Sequence, residues 1–120
     1  MRRLLSISLA AAIAAPLAAC GGTPKPEARM ASSEGAIRGA REAGADGVPQ
    51  ATLYLKLAEE ERAKGLEYVK DDENHKATMM LARSEADAEL AVALARAATA
   101  QNNANTATEQ LQDLKEKAAQ

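Results

Sequence analysis

Between Ala28 and Ala118 the apolar residues recur three and four positions apart, the period of a helix face and not the alternation of a strand. Met30, Ile37 and Ala40, with Ser33 between them, make a modest first stripe, and their spacing predicts a helix over residues 28–43. Glu34 precedes Arg38 by one turn, a favourable pair on its outer side. Gly35, Gly39 and Ala43 form a row of small residues that admits a close neighbour, although two glycines cost about 2 kcal/mol of helix propensity. Gly44 suits the left-handed position after a helix end, and Pro49 the first position of the next helix. A second helix is expected over residues 49–70, with Ala51, Tyr54, Leu55, Ala58, Leu66 and Val69 on its main apolar face and Leu53 and Leu57 widening it. Asp71-Asp72-Glu73-Asn74 interrupts the period, and its acids favour the start of a third helix.

That third helix is expected over residues 75–118, where neither Gly nor Pro occurs. It carries two rows. Ala77, Leu81, Ser84, Ala88, Ala91, Ala95 and Ala98 form a narrow seam of small residues. Met79, Ala86, Leu90, Ala93 and Ala97 form the other, which continues through Ala100, Ala104, Ala107, Leu111, Leu114 and Ala118 in heptad spacing. Gln101-Asn102-Asn103-Ala104-Asn105 is a weak point, and Thr106 with Glu109 fits a capping box, so a break near 101–105 is the alternative to the favoured continuous helix. Unbroken, the helix is about 66 Å long, roughly twice the second one, and its end projects past the pair. The fold class is all-α: an antiparallel helical hairpin or three-helix bundle with a long, coiled-coil-like C-terminal helix.

Composition narrows this further. Alanine fills 30 of the 120 positions, while Trp and Phe are absent and there are two Tyr. From Gly21 onward Leu, Ile and Val number nine, one and three, too few for a sheet-based core. At ~25 cal/mol per Å² buried alanine stabilises weakly, so such a bundle is marginal alone. A protein partner or a second copy is therefore expected along the third helix, at Leu90, Ala97, Ala100, Ala104, Ala107, Leu111 and Leu114.

The N-terminus reads as an address. Met1-Arg2-Arg3 is a cationic start, and the apolar run that follows is too short for a permanent membrane span but suits a secretory signal peptide over residues 1–19. Leu17-Ala18-Ala19-Cys20 resembles the bacterial lipobox, in which small residues precede a cysteine whose thiol takes a diacylglyceryl group. Cys20 is the only cysteine, so it has no disulfide partner within the chain, and acylation explains a lone secreted thiol. Two or three acyl chains make a stable anchor. Gly21, where retention signals carry Asp, favours the periplasmic face of the outer membrane over the inner membrane. Residues 20–27 then form the lipidated Cys and a Gly/Pro tether, and residues 28–120 the Ala-rich helical domain. Without residues 1–19 the chain keeps 13 basic and 17 acidic residues, a balance that does not attract nucleic acid.

Ala43-Gly44-Ala45, Pro49, Leu53-Tyr54-Leu55-Lys56-Leu57-Ala58, Leu81-Ala82 and Ala86-Asp87-Ala88-Glu89-Leu90-Ala91 resemble the domain-of-unknown-function 4398 family. The resemblance covers residues 31–98 and implies an Ala-rich helical envelope lipoprotein of Gram-negative bacteria. Some members carry a peptidoglycan-binding domain downstream; no such segment is expected within this sequence, which leaves peptidoglycan binding open. The family has no established activity to transfer.

No catalytic constellation is legible. His75 is the only histidine, and Ser32, Ser33 and Ser84 lack a nucleophile-elbow context. No nucleotide fingerprint is present, and neither an enzymatic activity nor a cofactor is expected. The one candidate ligand site is the acidic turn 71–75, where Asp71, Asp72, Glu73 and His75 offer oxygen and nitrogen donors to a divalent ion or small ligand, without the alternating spacing of a calcium loop. Tyr54 and Tyr68 lie near four turns apart and are read as packing residues. The expected role is a lipid-anchored, non-enzymatic scaffold, spacer or accessory subunit working through helix–helix contacts, with ligand binding at the acidic turn as the alternative.

Overall fold

The computed structural model describes residues 23–119, so the signal peptide and the lipobox residues Leu17, Ala18, Ala19 and Cys20 lie outside the described residues. Among the described residues the protein is all-α. Helix α1 spans Glu27–Glu42, a short 3-10 turn Ala45–Gly47, helix α2 Pro49–Lys70 and helix α3 Asn74–Ala118. Helix α3 is unbroken through Gln101–Asn105: Gln101 Nε2 donates to Asn105 Oδ1 at 3.0 Å, and Thr108 Oγ1 to the Ala104 carbonyl at 2.9 Å. The Thr106–Glu109 segment therefore caps nothing and lies mid-helix.

The ends follow from local chemistry. Gly44 takes φ 83° after α1 and Pro49 opens α2, each supplying the backbone conformation its position requires. The α2 end is different, because its left-handed residue is Asp72 at φ 58° and not a glycine. Asp72 N–H donates to the Val69 carbonyl at 3.3 Å and Glu73 N–H to that of Tyr68 at 2.9 Å, closing the two crossed bonds of a Schellman turn. The acids here end α2 and do not cap α3, since Glu73 makes no side-chain cap bond.

Helices α2 and α3 form the antiparallel hairpin, and α1 packs against both, antiparallel to α2 and parallel to α3. The core is an alanine seam with few large side chains. Ile37, Ala40, Ala51, Leu55, Ala58, Leu81, Ala88, Ala91 and Ala95 are buried, and only Leu55 and Leu81 are large and fully enclosed. Both α1 and α3 present the stripes their sequence spacing predicts, including the buried polar positions Ser33 and Ser84. Ser84 Oγ donates to the Ala58 carbonyl at 2.7 Å, so a hydroxyl in the seam ties α3 to α2 and is satisfied where it is buried.

Close approach is achieved at a different glycine from the expected pair. A Cβ on Gly35 or Gly39 would meet nothing within 4 Å, whereas one on Gly65 would meet Leu81 Cγ at 2.8 Å. Gly65 is the buried residue in the last turns of α2, and the Leu81 side chain fills the space above it. Leu66 and Val69, expected on the main face, are half-buried beside it, while Leu53 is 56% exposed.

Candidate interaction surface

Helix α3 has two halves with different surroundings. Ala77, Leu81, Ser84, Ala88, Ala91 and Ala95 face α1 and α2 and are buried, and Ala98 is half-buried. From Thr99 to Ala119 every residue is exposed. At 3.6 residues per turn, Ala86, Leu90, Ala93 and Ala97 lie on the side of α3 opposite the buried seam, and Ala100, Ala104, Ala107, Leu111 and Leu114 extend that line along the bare half. All of these are exposed, Leu90 by 39%, Leu111 by 58% and Leu114 by 62%. The predicted interface residues thus share one face of one helix, with no other part of the described chain upon it. Its charged margins were not singled out from the sequence: Asp87 and Glu89 flank the row at one end, and Lys115 and Lys117 at the other. The heptad positions beside the apolar pair carry that signal.

At the opposite end of the rod is the α2–α3 turn. Asp71, Asp72, Glu73 and His75 are exposed there, beside a shallow pocket of about 350 Å³ that Thr23 and Lys76 also line. Glu73 is paired with Lys76 at 2.7 Å, and Lys76 Nζ lies 5.5 Å over the Tyr68 ring. The bond and charge of Glu73 hold the Lys76 ammonium above its ordinary pKa. Among the described residues no three His, Cys, Asp or Glu side chains converge in an arrangement that holds a metal ion. The tether is docked at this end by one bond, Asn74 Nδ2 donating to the Thr23 carbonyl at 2.8 Å, while Met30 N–H donating to the Pro26 carbonyl at 3.0 Å opens α1.

A second groove, about 320 Å³, runs between α1 and α2, with Ile37 on its floor and Arg38, Arg41, Arg62, Glu34 and Glu59 around it. Arg41 pairs with Glu59 at 2.6 Å and Arg62 with Glu34 at 2.8 Å. Glu34 therefore reaches across to α2 and does not make the expected bond to Arg38 one turn on. These pairs, with Arg29–Glu85 at 2.7 Å between α1 and α3, fasten a helix whose own apolar stripe is short. Across the hairpin, burial lifts the Glu61 carboxyl above its ordinary pKa; Asp87 beside it adds to the shift and the Arg83 guanidinium opposes it.

Among the described residues no helix is long and apolar enough to cross a membrane. No family model, curated protein or solved structure matches the chain.

Proposed function

We propose that the protein is a lipid-anchored lipoprotein of the cell envelope, held at the periplasmic face of the outer membrane, and that it works without chemistry of its own as a scaffold or spacer. The observation that carries this reading is the bare half of α3, exposed from Thr99 onward and bearing Leu111 and Leu114. Its placement supports the same role. Thr23, three positions after Cys20, is bonded to Asn74 at the start of α3, so an anchor at Cys20 sits within about 11 Å of Thr23 at the turn end. The apolar face leaves from the other end of a 45-residue helix about 67 Å long. A protein tethered in this way presents a helical surface to other proteins at a set distance from its own attachment.

The test is crosslinking of the full-length protein in cells, with Cys20→Ser as the unanchored control, followed by identification of the joined peptides. Links from the bare half of α3 are expected, and membrane recovery is expected to fall in the control. Recovery in the membrane fraction unchanged by Cys20→Ser overturns the anchor, and links confined to the α2–α3 turn overturn the interface.

A further inference from the structure

The exposed row of α3 has a definite symmetry. From Ala86 to Ala118 it keeps heptad spacing without interruption, with leucines near both ends, Leu90 at one and Leu111 and Leu114 at the other, and alanines between. Its flanking charges are segregated toward the ends, Asp87 and Glu89 at one and Lys115 and Lys117 at the other, with Arg96 beside Ala97 the one further charge at these flanking positions. A surface that is acidic at one end and basic at the other complements itself when reversed.

We propose that the occupant of this face is a second copy of the chain, its α3 running antiparallel about a two-fold axis beside Asn102. The register follows from the pairing rule for antiparallel coils, in which the two apolar heptad positions face each other across the interface. With the axis at residue 102, Leu114 of one copy lies over Leu90 of the other, Leu111 over Ala93, and alanine meets alanine between them. Large side chains face each other or a small one, and the alanine centre lets the axes approach toward the short end of the usual 8–10 Å range. The same register sets Lys115 opposite Asp87 and Lys117 opposite Glu89, each pair occurring twice by symmetry.

A parallel pair fits worse. In register it places Glu89 beside Leu94 and Lys115 beside Gln110, and brings no acid to a base. The fold leaves the apolar row open, because α1 and α2 pack on the other side of α3 and no other described residue covers the bare half; of the four flanking charges only Asp87 is half-buried, lying beside Glu61 of α2. Lys117 holds Asp113 in its own helix at 2.7 Å, but both side chains are more than half exposed, and such a pair is weak enough to exchange.

The dimer deepens the scaffold reading by naming the partner, and rests on that reading only for its anchors. Each Asn74 lies 28 positions from the axis, so the two tether ends are about 84 Å apart along the rod. The assembly then carries an attachment point at each end, with Leu90, Leu111 and Leu114 covered between them and Met79, 56% exposed, left outside the overlap.

The test uses the full chain with Cys20→Ser in nonionic detergent, so that introduced cysteines are the only thiols and no lipid contributes. Ala93→Cys with Leu111→Cys is expected to give a covalent dimer on oxidation and a peptide joining positions 93 and 111, which are too far apart on one helix to bond within a chain. Each single variant is expected to stay monomeric on denaturing gels. Lys115→Glu with Lys117→Glu replaces attraction by repulsion at both ends and is expected to lower dimer yield about tenfold at low salt. Adding Asp87→Lys and Glu89→Lys is expected to restore it. Single variants that dimerise as well as the double overturn the antiparallel arrangement. Failure of the reversed charges to restore the dimer overturns the register. A double variant that stays monomeric overturns the proposal while leaving the anchored scaffold to a different partner; loss of the anchor shows instead as unchanged membrane recovery of Cys20→Ser, a separate measurement.

Discussion

Leu81 and Leu111 belong to one unbroken helix, yet the first is fully buried and the second 58% exposed. Both sit in the same three-and-four spacing of apolar or small residues, with Ala77, Ser84 and Ala88 around Leu81 and Ala104, Ala107 and Leu114 around Leu111. What differs is the neighbour. Helix α2 has 22 residues and meets α3 from the turn to about Ala95, and α1 covers the middle of the same stretch from the other side. Beyond that point no part of the described chain reaches α3. In an alanine-rich protein, helical pattern therefore reports where a partner could lie, and only the lengths of the other helices decide where one does.

The comparison breaks or holds first on the leucines themselves. Leu81→Ala leaves a void in the tightest part of the hairpin and is expected to cost about 2–5 kcal/mol. In a domain of this size that lowers the melting temperature by at least ~10 °C. Leu111→Ala, measured at concentrations where the protein is monomeric, is expected to change stability by less than about 0.5 kcal/mol. Thermal melts of the two by circular dichroism decide it, and equal shifts would mean that the bare half has cover within its own chain.

The glycines sharpen the same contrast at a smaller scale. Alanine at an exposed helical glycine usually gains about 0.5–1 kcal/mol, and Gly35→Ala and Gly39→Ala, with nothing near the new methyl, are expected to gain that much. Gly65→Ala is expected to lose about 1–3 kcal/mol despite the same gain in propensity, because its methyl would meet the buried Leu81. Urea titrations of the three variants test the sign, and stabilisation by Gly65→Ala would show that α2 and α3 can separate without penalty.

These glycines also mark where the sequence was legible and where it was not. The stripes Ser33, Ile37, Ala40 and Ala77 through Ala95 were readable because helical spacing alone places them on one side. Gly44 and Pro49 were readable because each has a backbone preference of its own. The role of Gly65 was not, because a glycine inside a helix reads as a defect until the residue opposite is known, and Leu81 lies across a turn whose register the sequence does not fix. For the same reason Glu34 could be matched to Arg38 by spacing but not to Arg62, which only tertiary packing brings near. The candidate face on α3 was legible as a row; the opposed charges at its ends take on meaning only once the helix is known to run straight from one to the other.

The turn gives a smaller effect of definite sign. Asp72 holds φ 58°, where a side chain crowds the backbone, and the bond from its N–H to the Val69 carbonyl is one that glycine keeps. Asp72→Gly is expected to stabilise the hairpin by about 0.5–1 kcal/mol, the relief of strain exceeding the added freedom of the unfolded chain. A lower melting temperature would mean that the Asp72 side chain has a role at that end of the molecule.

The smallest effect is one of slope. Glu61 lies between Arg83, at 3.2 Å, and Asp87, with its side chain only 15% exposed. Its pKa is raised in the folded protein, chiefly by burial, so the native state holds the proton more tightly than the unfolded chain, whose carboxyl titrates near 4.5. Stability contributed by this group is then complete at low pH and falls as the pH rises from that value through the folded one. Glu61→Gln removes the titration but keeps the shape, so the variant is expected to gain on the native protein steadily across that window and then run parallel to it. Melts at a series of pH values between 4 and 8 would show it. The reverse trend would mean that the Arg83 pair outweighs burial and the repulsion of Asp87, and that the acidic edge of α3 is held by the hairpin's own cations before any second helix arrives.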